Sequence, residues 1–363
     1  MQFKLYDPKS LHLAGLWLVG DVGGTNCNLG LATVVPTESG AHVTVIAEAI
    51  EESHAIDSFA DTLETALEGL NRHLGSFVLK GACISGAGPI QNNVCQMTNQ
   101  AWVIDGNELE AKLGLKVHVI NDFTAVCFGL PLLDHSNSQE VLRLHRTDGK
   151  VAEPQQGLKS AIGAGTGLGV GFIVPEEGRW RAFPSEGGHM DFADFDAETR
   201  EFKDYVYQTI DIVPEYEMFI SGNGIKNMFY FYTESGRLDK HDPSAQEIFA
   251  LPDIQKPGKI SQLAMTHPVL KKLMQTFVRL YARFAASVAS LLLPVGGLYL
   301  AGGIAAKNQE FFLEDQLFMR TFEQHCNPNI YNTLAQIPVF ITLDYGISLK
   351  GAAYAGHCLE ASS

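Results

Sequence analysis

Leu16-Trp17-Leu18-Val19-Gly20-Asp21-Val22-Gly23-Gly24-Thr25-Asn26-Cys27-Asn28-Leu29-Gly30-Leu31-Ala32 is the stretch that decides the architecture. An apolar run meets a glycine-rich polar turn at Asp21 to Asn26 and then resumes, the pattern of a β-hairpin. Ser160 to Val174 repeats the plan around Gly163-Ala164-Gly165-Thr166-Gly167-Leu168-Gly169. Two like hairpins at domain-sized spacing predict duplicated α/β halves facing each other across a cleft. Between them, Ser58 to Leu70 has helical apolar spacing, Phe77 to Ile84 reads as a strand, and Val117 to Ile120 reads as another that ends at Asn121-Asp122. Strands alternating with helices imply a mostly parallel, buried sheet. Further on, Pro268 starts a core helix in which Leu270, Leu273, Met274, Phe277, Leu280 and Tyr281 recur at helical steps, closed by Pro294. The polar segment Thr233 to Lys259 reads as a surface excursion, and Ser136 to Gly157 as a polar connection after a boundary near Pro131.

With 363 residues, 46% of them hydrophobic and 18% charged, the chain has material for two domains with cores of their own. Its 26 basic and 41 acidic side chains leave a net charge of −15, which argues against nucleic acid or an anionic membrane as the main partner. Cys27, Cys83, Cys95, Cys127, Cys326 and Cys358 are scattered without a C-x-x-C pair, as expected of reduced thiols in the cytoplasm. Phe284 to Ala306 is uncharged and long enough to span a bilayer. Pro294, Gly296, Gly297, Gly302 and Gly303 cut it into shorter elements, so it is expected to be buried core. The N-terminus shows no basic n-region ahead of an apolar h-region.

No glycine set in the second turn satisfies G-x-G-x-x-G, and no Walker A loop or G-x-S-x-G elbow is present. What remains is two glycine turns, each with a threonine at its tip, Thr25 or Thr166. Exposed backbone N–H groups in such turns bind phosphate oxygens, although a tight hairpin turn that needs positive φ would also select glycine.

Asp21-Val22-Gly23-Gly24-Thr25-Asn26, Asn121-Asp122-Phe123-Thr124-Ala125, the Gly163 to Gly169 run, Glu186-Gly187-Gly188-His189-Met190-Asp191-Phe192-Ala193 and Ala301-Gly302-Gly303-Ile304 occur in the order found in bacterial-type glucokinases. The chain resembles that family, part of the actin-like sugar-kinase superfamily, from about Leu16 to about Ala355. The resemblance implies a two-domain actin-like (ribonuclease H-like) ATPase fold of the α/β class, with a small domain of residues 1–132 plus 343–363 and a large domain of residues 133–342. It also implies transfer of the γ-phosphoryl group of ATP to the 6-hydroxyl of glucose, the first step of glycolysis.

By the same resemblance Asp122 is the catalytic carboxylate, ionised at neutral pH if its pKa is ordinary. Asn99, Asn121, Glu186, His189 and Glu217 are the implied sugar ligands, with Glu215 close beside the last. Asn121-Asp122 can equally cap the helix that starts at Phe123. The phosphates are expected at Gly23, Gly24, Thr25 and Asn26 and at Gly165, Thr166 and Gly167, and Mg²⁺ at Asp21 through water. Gly222, Gly302 and Gly303 are expected to wall the adenosine, although a turn or helix cap explains Gly302 as well. ATP and glucose are the expected partners, and a homodimer is compatible with the resemblance. A broader-specificity hexokinase shares these motifs. A non-catalytic sugar sensor would keep Glu186 and His189 but not Asp122, and a chaperone-type ATPase has no use for the Glu-Gly-Gly-His cluster.

Overall fold

The structure is a computed structural model that describes residues 1–12, 15–37, 40–98, 100–325 and 327–360. Its chain divides into two units. One comprises Met1–Asp134, Gly171–Pro184 and Asp344–Ser363, the other His135–Val170 and Ser185–Leu343.

In the first unit the strands are β1 (Gln2–Leu5), β2 (Leu16–Val22), β3 (Asn26–Thr37), β4 (Gly40–Glu52) and β5 (Gly81–Gly86). The short β6 (Ile90–Gln91), β7 (Val94–Gln96) and β8 (Val103–Asp105) follow, and then β9 (Val117–Asn121). The main sheet runs β1-β4-β3-β2-β5-β9, and β6-β7-β8 form a small sheet of their own. The expected hairpin is β2 against β3, antiparallel, and β2, β5 and β9 are parallel. Strand β5 starts later than the apolar run Phe77 to Ile84 suggested, because its partner β2 meets it only from Trp17 opposite Gly81. Val78 is left exposed.

Helices α1 (Phe59–Leu74), α2 (Gly106–Leu113) and α3 (Asp122–Gly129) connect these strands. Each is capped by an oxygen-bearing side chain, of Ser58, Asp105 and Asn121 respectively. A C-terminal helix, Ile347–Glu360, seats on α3 and β2 through glycines. A Cβ on Gly351 would lie 1.9 Å from the Ala125 carbonyl oxygen, and one on Gly356 would lie 2.5 Å from the Trp17 ring. The segment Gly171–Pro184 joins this unit, outside the 1–132 and 343–363 boundaries expected from sequence. Gly171 packs against Cys127 of α3, where a Cβ would come within 2.6 Å of the thiol sulfur, and Phe172 stacks on Phe183.

The second unit holds β10 (Val141–Leu144), β11 (Lys159–Ala164) and the start of β12 (Leu168–Glu176), which continues into the first unit and pairs there with β13 (Arg179–Phe183). It also holds β14 (Leu298–Ala301) and β15 (Val339–Thr342), in the order β10-β15-β14-β11-β12. Strands β11, β14 and β15 are parallel, and β10 lies antiparallel on the edge. The expected polar connection therefore contains a strand: Val141 and Leu144 are buried while the residues between them are not, too short an alternation to stand out.

Helices α4 (Ala197–Ile210), α5 (Gly222–Glu234), α6 (Pro243–Phe249), α7 (Lys256–Ala264) and α8 (Pro268–Leu292) follow β13, and α9 (Gly303–Lys307), α10 (Gln309–Leu313), α11 (Leu317–Phe322) and α12 (Pro328–Leu334) follow β14. Helix α8 is the core helix expected, with the Tyr281 hydroxyl donating to the Ile162 carbonyl at 2.8 Å. Thr233 to Lys259 is not a surface excursion. It folds into the end of α5, α6 and the start of α7, with Ala245 and Ile248 fully buried. Two of its prolines occupy first-turn helix positions, Pro243 after the Asp242 cap and Pro257 in the first turn of α7, while Pro252 is extended between α6 and the turn before α7. Among the described residues no helix is long and apolar enough to cross a membrane.

Gly351→Ala is expected to destabilise the chain by about 1–3 kcal/mol, the usual range for forcing a methyl into a filled contact. Chemical denaturation with the midpoint followed by circular dichroism measures it, and an unchanged midpoint would show that the helix contact can relax.

Candidate active site

The parallel register of β2, β5 and β9 sets Asp21 opposite Ser85, and Gly86 opposite Asn121. Asp21 thus comes to the same end of the sheet as Asp122, the first residue of α3. The Asn121 side chain accepts from the N–H groups of Phe123 (2.9 Å) and Thr124 (3.3 Å) and donates to the Gly88 carbonyl at 3.3 Å. Capping therefore uses most of the hydrogen-bonding capacity that the sequence reading assigned to the sugar.

The Asp122 carboxylate accepts from the Phe123 N–H at 2.8 Å. Burial pushes this carboxyl up to about 6, the backbone hydrogen bond opposes the shift, and the nearby Asp21 charge adds to it. An ordinary aspartate pKa does not apply here. Burial also raises Asp21, against hydrogen bonds from Ser348 (2.7 Å) and Ser85 (3.5 Å).

Among the described residues neither carboxylate has a basic partner. Two like charges sharing a buried strand end in this way suit a divalent cation. A single carboxylate flanked by hydroxyls fits Mg²⁺, which keeps water and phosphate oxygens in its shell. No cluster of three metal-ligating side chains occurs among the described residues, so an all-protein cage is not the match.

The first glycine turn closes through Gly23 N–H to the Asn26 carbonyl at 2.9 Å. Its other carbonyls are held from outside: Ser53 binds those of Gly23 (2.7 Å) and Thr25 (2.9 Å), and Gln100 binds that of Gly24 (3.0 Å). The N–H groups of Gly24 and Thr25 have no acceptor among the described residues, and Gly24, Thr25 and Asn26 are exposed. Exposed turn N–H groups of this kind are able to receive an anion.

In the second unit β11 and β14 run parallel with Gly163 opposite Ala301, so the turns that follow them lie side by side. Gly165 and Gly303 line a cavity of about 550 Å³ together with Ile225, Pro257, Gly258 and Ile304. A Cβ on Gly165 would meet nothing within 4 Å, and its φ is ordinary, so neither protein packing nor backbone strain requires glycine there. Gly302 differs: its φ is 85° and a Cβ there would lie only 2.6 Å from the Ala164 carbonyl oxygen, which makes it a structural turn residue. Gly222 donates its N–H to the Gly165 carbonyl at 2.8 Å. Gly167 makes room for Glu217, whose carboxylate accepts from the Leu168 N–H at 2.8 Å. Thr166 stands exposed at the tip of the turn. Ile225, Pro257 and Gly258 were not among the expected site residues, because ordinary apolar and small residues outside a motif carry no signal.

Glu186 and His189 lie on a 3-10 turn, Gly187–His189, that packs against a second one, Tyr216–Met218. The Glu186 carboxylate is 3.9 Å from His189 Nε2 and is largely exposed. His189 Nδ1 is 2.7 Å from Glu215, a partner the sequence reading placed only as a neighbour of Glu217. The hydrogen bond to Glu215 raises the His189 pKa, and the charges of Glu217, Glu215 and Glu186 add to the rise. The alternation Glu215-Tyr216-Glu217 was the available signal, since two acids separated by one residue can share a face. Asn99 lies outside the described residues.

The chain matches the family model described as Glucokinase over residues 18–358. A glucokinase of Nostoc sp. is 31% identical over 355 residues, covering 93% of this chain and 98% of that one. A crystal structure of glucokinase from an Antarctic psychrotroph superposes with a TM-score of 0.77 at 24% identity, covering 94% and 98% of the two chains. Another, of Balamuthia mandrillaris glucokinase in complex with glucose, gives 0.75 at 22% identity, covering 98% and 100%. At such identities the structures speak for the fold: it is that of the actin-like sugar kinases.

The raised carboxyl of Asp122 carries a stability consequence. Its folded pKa of about 6 exceeds the unfolded value of roughly 3.9, so the folded state holds the extra proton between them and stability falls as pH rises through that window. Asp122→Asn removes the penalty. In metal-free buffer at pH 7.5 its melting temperature is expected above that of the wild type, with the difference vanishing near pH 4. A variant no more stable at pH 7.5 would show that the carboxylate is not penalised.

Proposed function

The chain belongs to the glucokinase family, and from that premise we propose that Asp122 takes the proton of the hexose 6-hydroxyl. The protein is an ATP-dependent glucose kinase, transferring the γ-phosphoryl group to give glucose 6-phosphate and ADP. The observation that carries the assignment of Asp122 is a half-buried carboxylate, raised to about 6, at the start of α3 with no basic side chain beside it among the described residues. Near neutral pH it is ionised yet a stronger base than an exposed aspartate, which suits a proton acceptor whose partner grows more acidic as the phosphoryl bond forms.

The first unit contributes Asp122, the nest at Gly24 and Thr25, and Asp21. Mg²⁺ held through water at Asp21 would neutralise phosphate charge when bound. Asn121 orients Asp122 by capping α3 and keeps part of its amide for a sugar hydroxyl. The second unit contributes Glu186, His189 and Glu217 for the hydroxyls, and the cavity at Gly165 and Gly303 for the nucleoside and phosphates. Carboxylates accept from hydroxyl protons while imidazole donates or accepts, so this set reads the orientation of a hydroxyl ring. Cys27, Cys83, Cys95, Cys127 and Cys358 are buried thiols, which suits a reducing cytoplasm.

Asp122→Asn is expected to lower kcat by roughly 10² or more, and wild-type kcat/KM to fall on the acid side with an inflection near 6. Coupled assays of glucose phosphorylation across pH measure both, and near-wild-type turnover in the variant would end the assignment. Gly165→Ala, which the fold accommodates, is expected to raise the ATP KM far more than the glucose KM. Equal effects would make the turn purely structural.

A further inference from the structure

Resting on the reading of His189 as a sugar ligand, we infer that Glu215 is a positioning residue for hexose recognition, holding the His189 ring so that Nδ1 carries the proton and Nε2 alone faces the sugar. The backbone beside Glu215 is pinned to the chain just after His189. Asp191 and Glu215 form an antiparallel bridge, the Phe192 N–H donates to the Pro214 carbonyl at 2.8 Å, and the Tyr216 N–H donates to the Met190 carbonyl at 3.0 Å. The carboxylate therefore meets Nδ1 at 2.7 Å from a fixed base rather than from a loose side chain.

An ionised carboxylate can only accept, so the hydrogen bond places a proton on Nδ1 in both charge states of the ring. Nε2 is then an acceptor when the ring is neutral and a donor when it is cationic. Among the described residues the charged groups acting on the ring are acidic: Glu186 beside its own turn, and Glu215 and Glu217 from the packed turn. They favour the cation, which gives the cluster one donor among its carboxylate acceptors. Glu217 spends one oxygen on the Leu168 N–H, so its other oxygen, the Glu186 carboxylate and Nε2 are the groups of the set that can meet hydroxyls.

The ring can be read directly by long-range ¹⁵N–¹H NMR of histidine-labelled full-length protein without ligands, with His189→Gln for assignment. The wild type is expected to show the Nδ1-protonated form and a titration midpoint above the ordinary histidine value of about 6.5. Glu215→Gln, whose amide oxygen still accepts, should keep the tautomer and lower the midpoint. Glu215→Ala should lose the tautomer preference and raise the glucose KM by about tenfold, with kcat and the ATP KM little changed, a split that general unfolding does not produce. An Nε2-protonated ring in the wild type, or an unchanged glucose KM in Glu215→Ala, would overturn the inference. If the wild type fails to phosphorylate glucose, the functional reading fails by itself, while the tautomer and midpoint still decide whether Glu215 governs the ring.

Discussion

Parallel pairing of β2, β5 and β9 is the constraint on which the chemistry depends. Parallel strands in register end together, and at their carboxyl ends the chain must turn away, leaving side chains and backbone N–H groups unpaired by the sheet. Here that end collects Asp21, Ser85 and the Asn121-Asp122 step into α3. The C-terminal helix reinforces it: Gly351 admits the helix against the Ala125 carbonyl, and Ser348 reaches Asp21. Among the described residues two carboxylates share this end with no basic side chain beside them, an arrangement that costs stability. Retaining an ionisable pair there is the pattern expected where charge serves a reaction.

The second unit applies the same rule to a different end. β11 and β14 finish level, and the turns beyond them, with α7 and α9, enclose the cavity. Its glycines separate by physical cause. Gly302 answers to positive φ and a close carbonyl, and Gly167 to the approach of Glu217, whereas Gly165 answers to neither. A glycine that the protein itself does not require is best explained by what approaches it from outside.

The acidic cluster near His189 shows how an overall charge of −15 can be put to use. Hexoses carry no charge for a basic patch to attract, and their hydroxyl protons are well matched by carboxylates. One imidazole lies among Glu186, Glu215 and Glu217, and its hydrogen bond to Glu215, with the charges of the three carboxylates, raises its pKa against the effect of burial. Through Glu217 and the Leu168 N–H the cluster is hydrogen-bonded to the second glycine turn, so the proposed sugar ligands and the proposed phosphate turn are held together within one unit.

Much of this was legible in the residues because it is local. Apolar runs on either side of Asp21 to Asn26 specified the hairpin, helical spacing after Pro268 specified the core helix, and Asn121-Asp122 at a strand end specified a cap. The ordered motifs pointed to the family, since backbone turns and their chemistry are written in consecutive residues. Pairing across distance was not legible. That α6 and α7 are packed wall rather than loop depended on where Ile248 is buried, that Gly171–Pro184 belongs with the first unit depended on its contact with Cys127, and that Glu215 partners His189 depended on the approach of two turns 26 residues apart in the chain. The pKa of Asp122 was likewise beyond sequence. Residue type sets the ordinary value, but burial and the field of Asp21 exist only once the strands have paired, so tertiary structure alone decided how basic that carboxylate is.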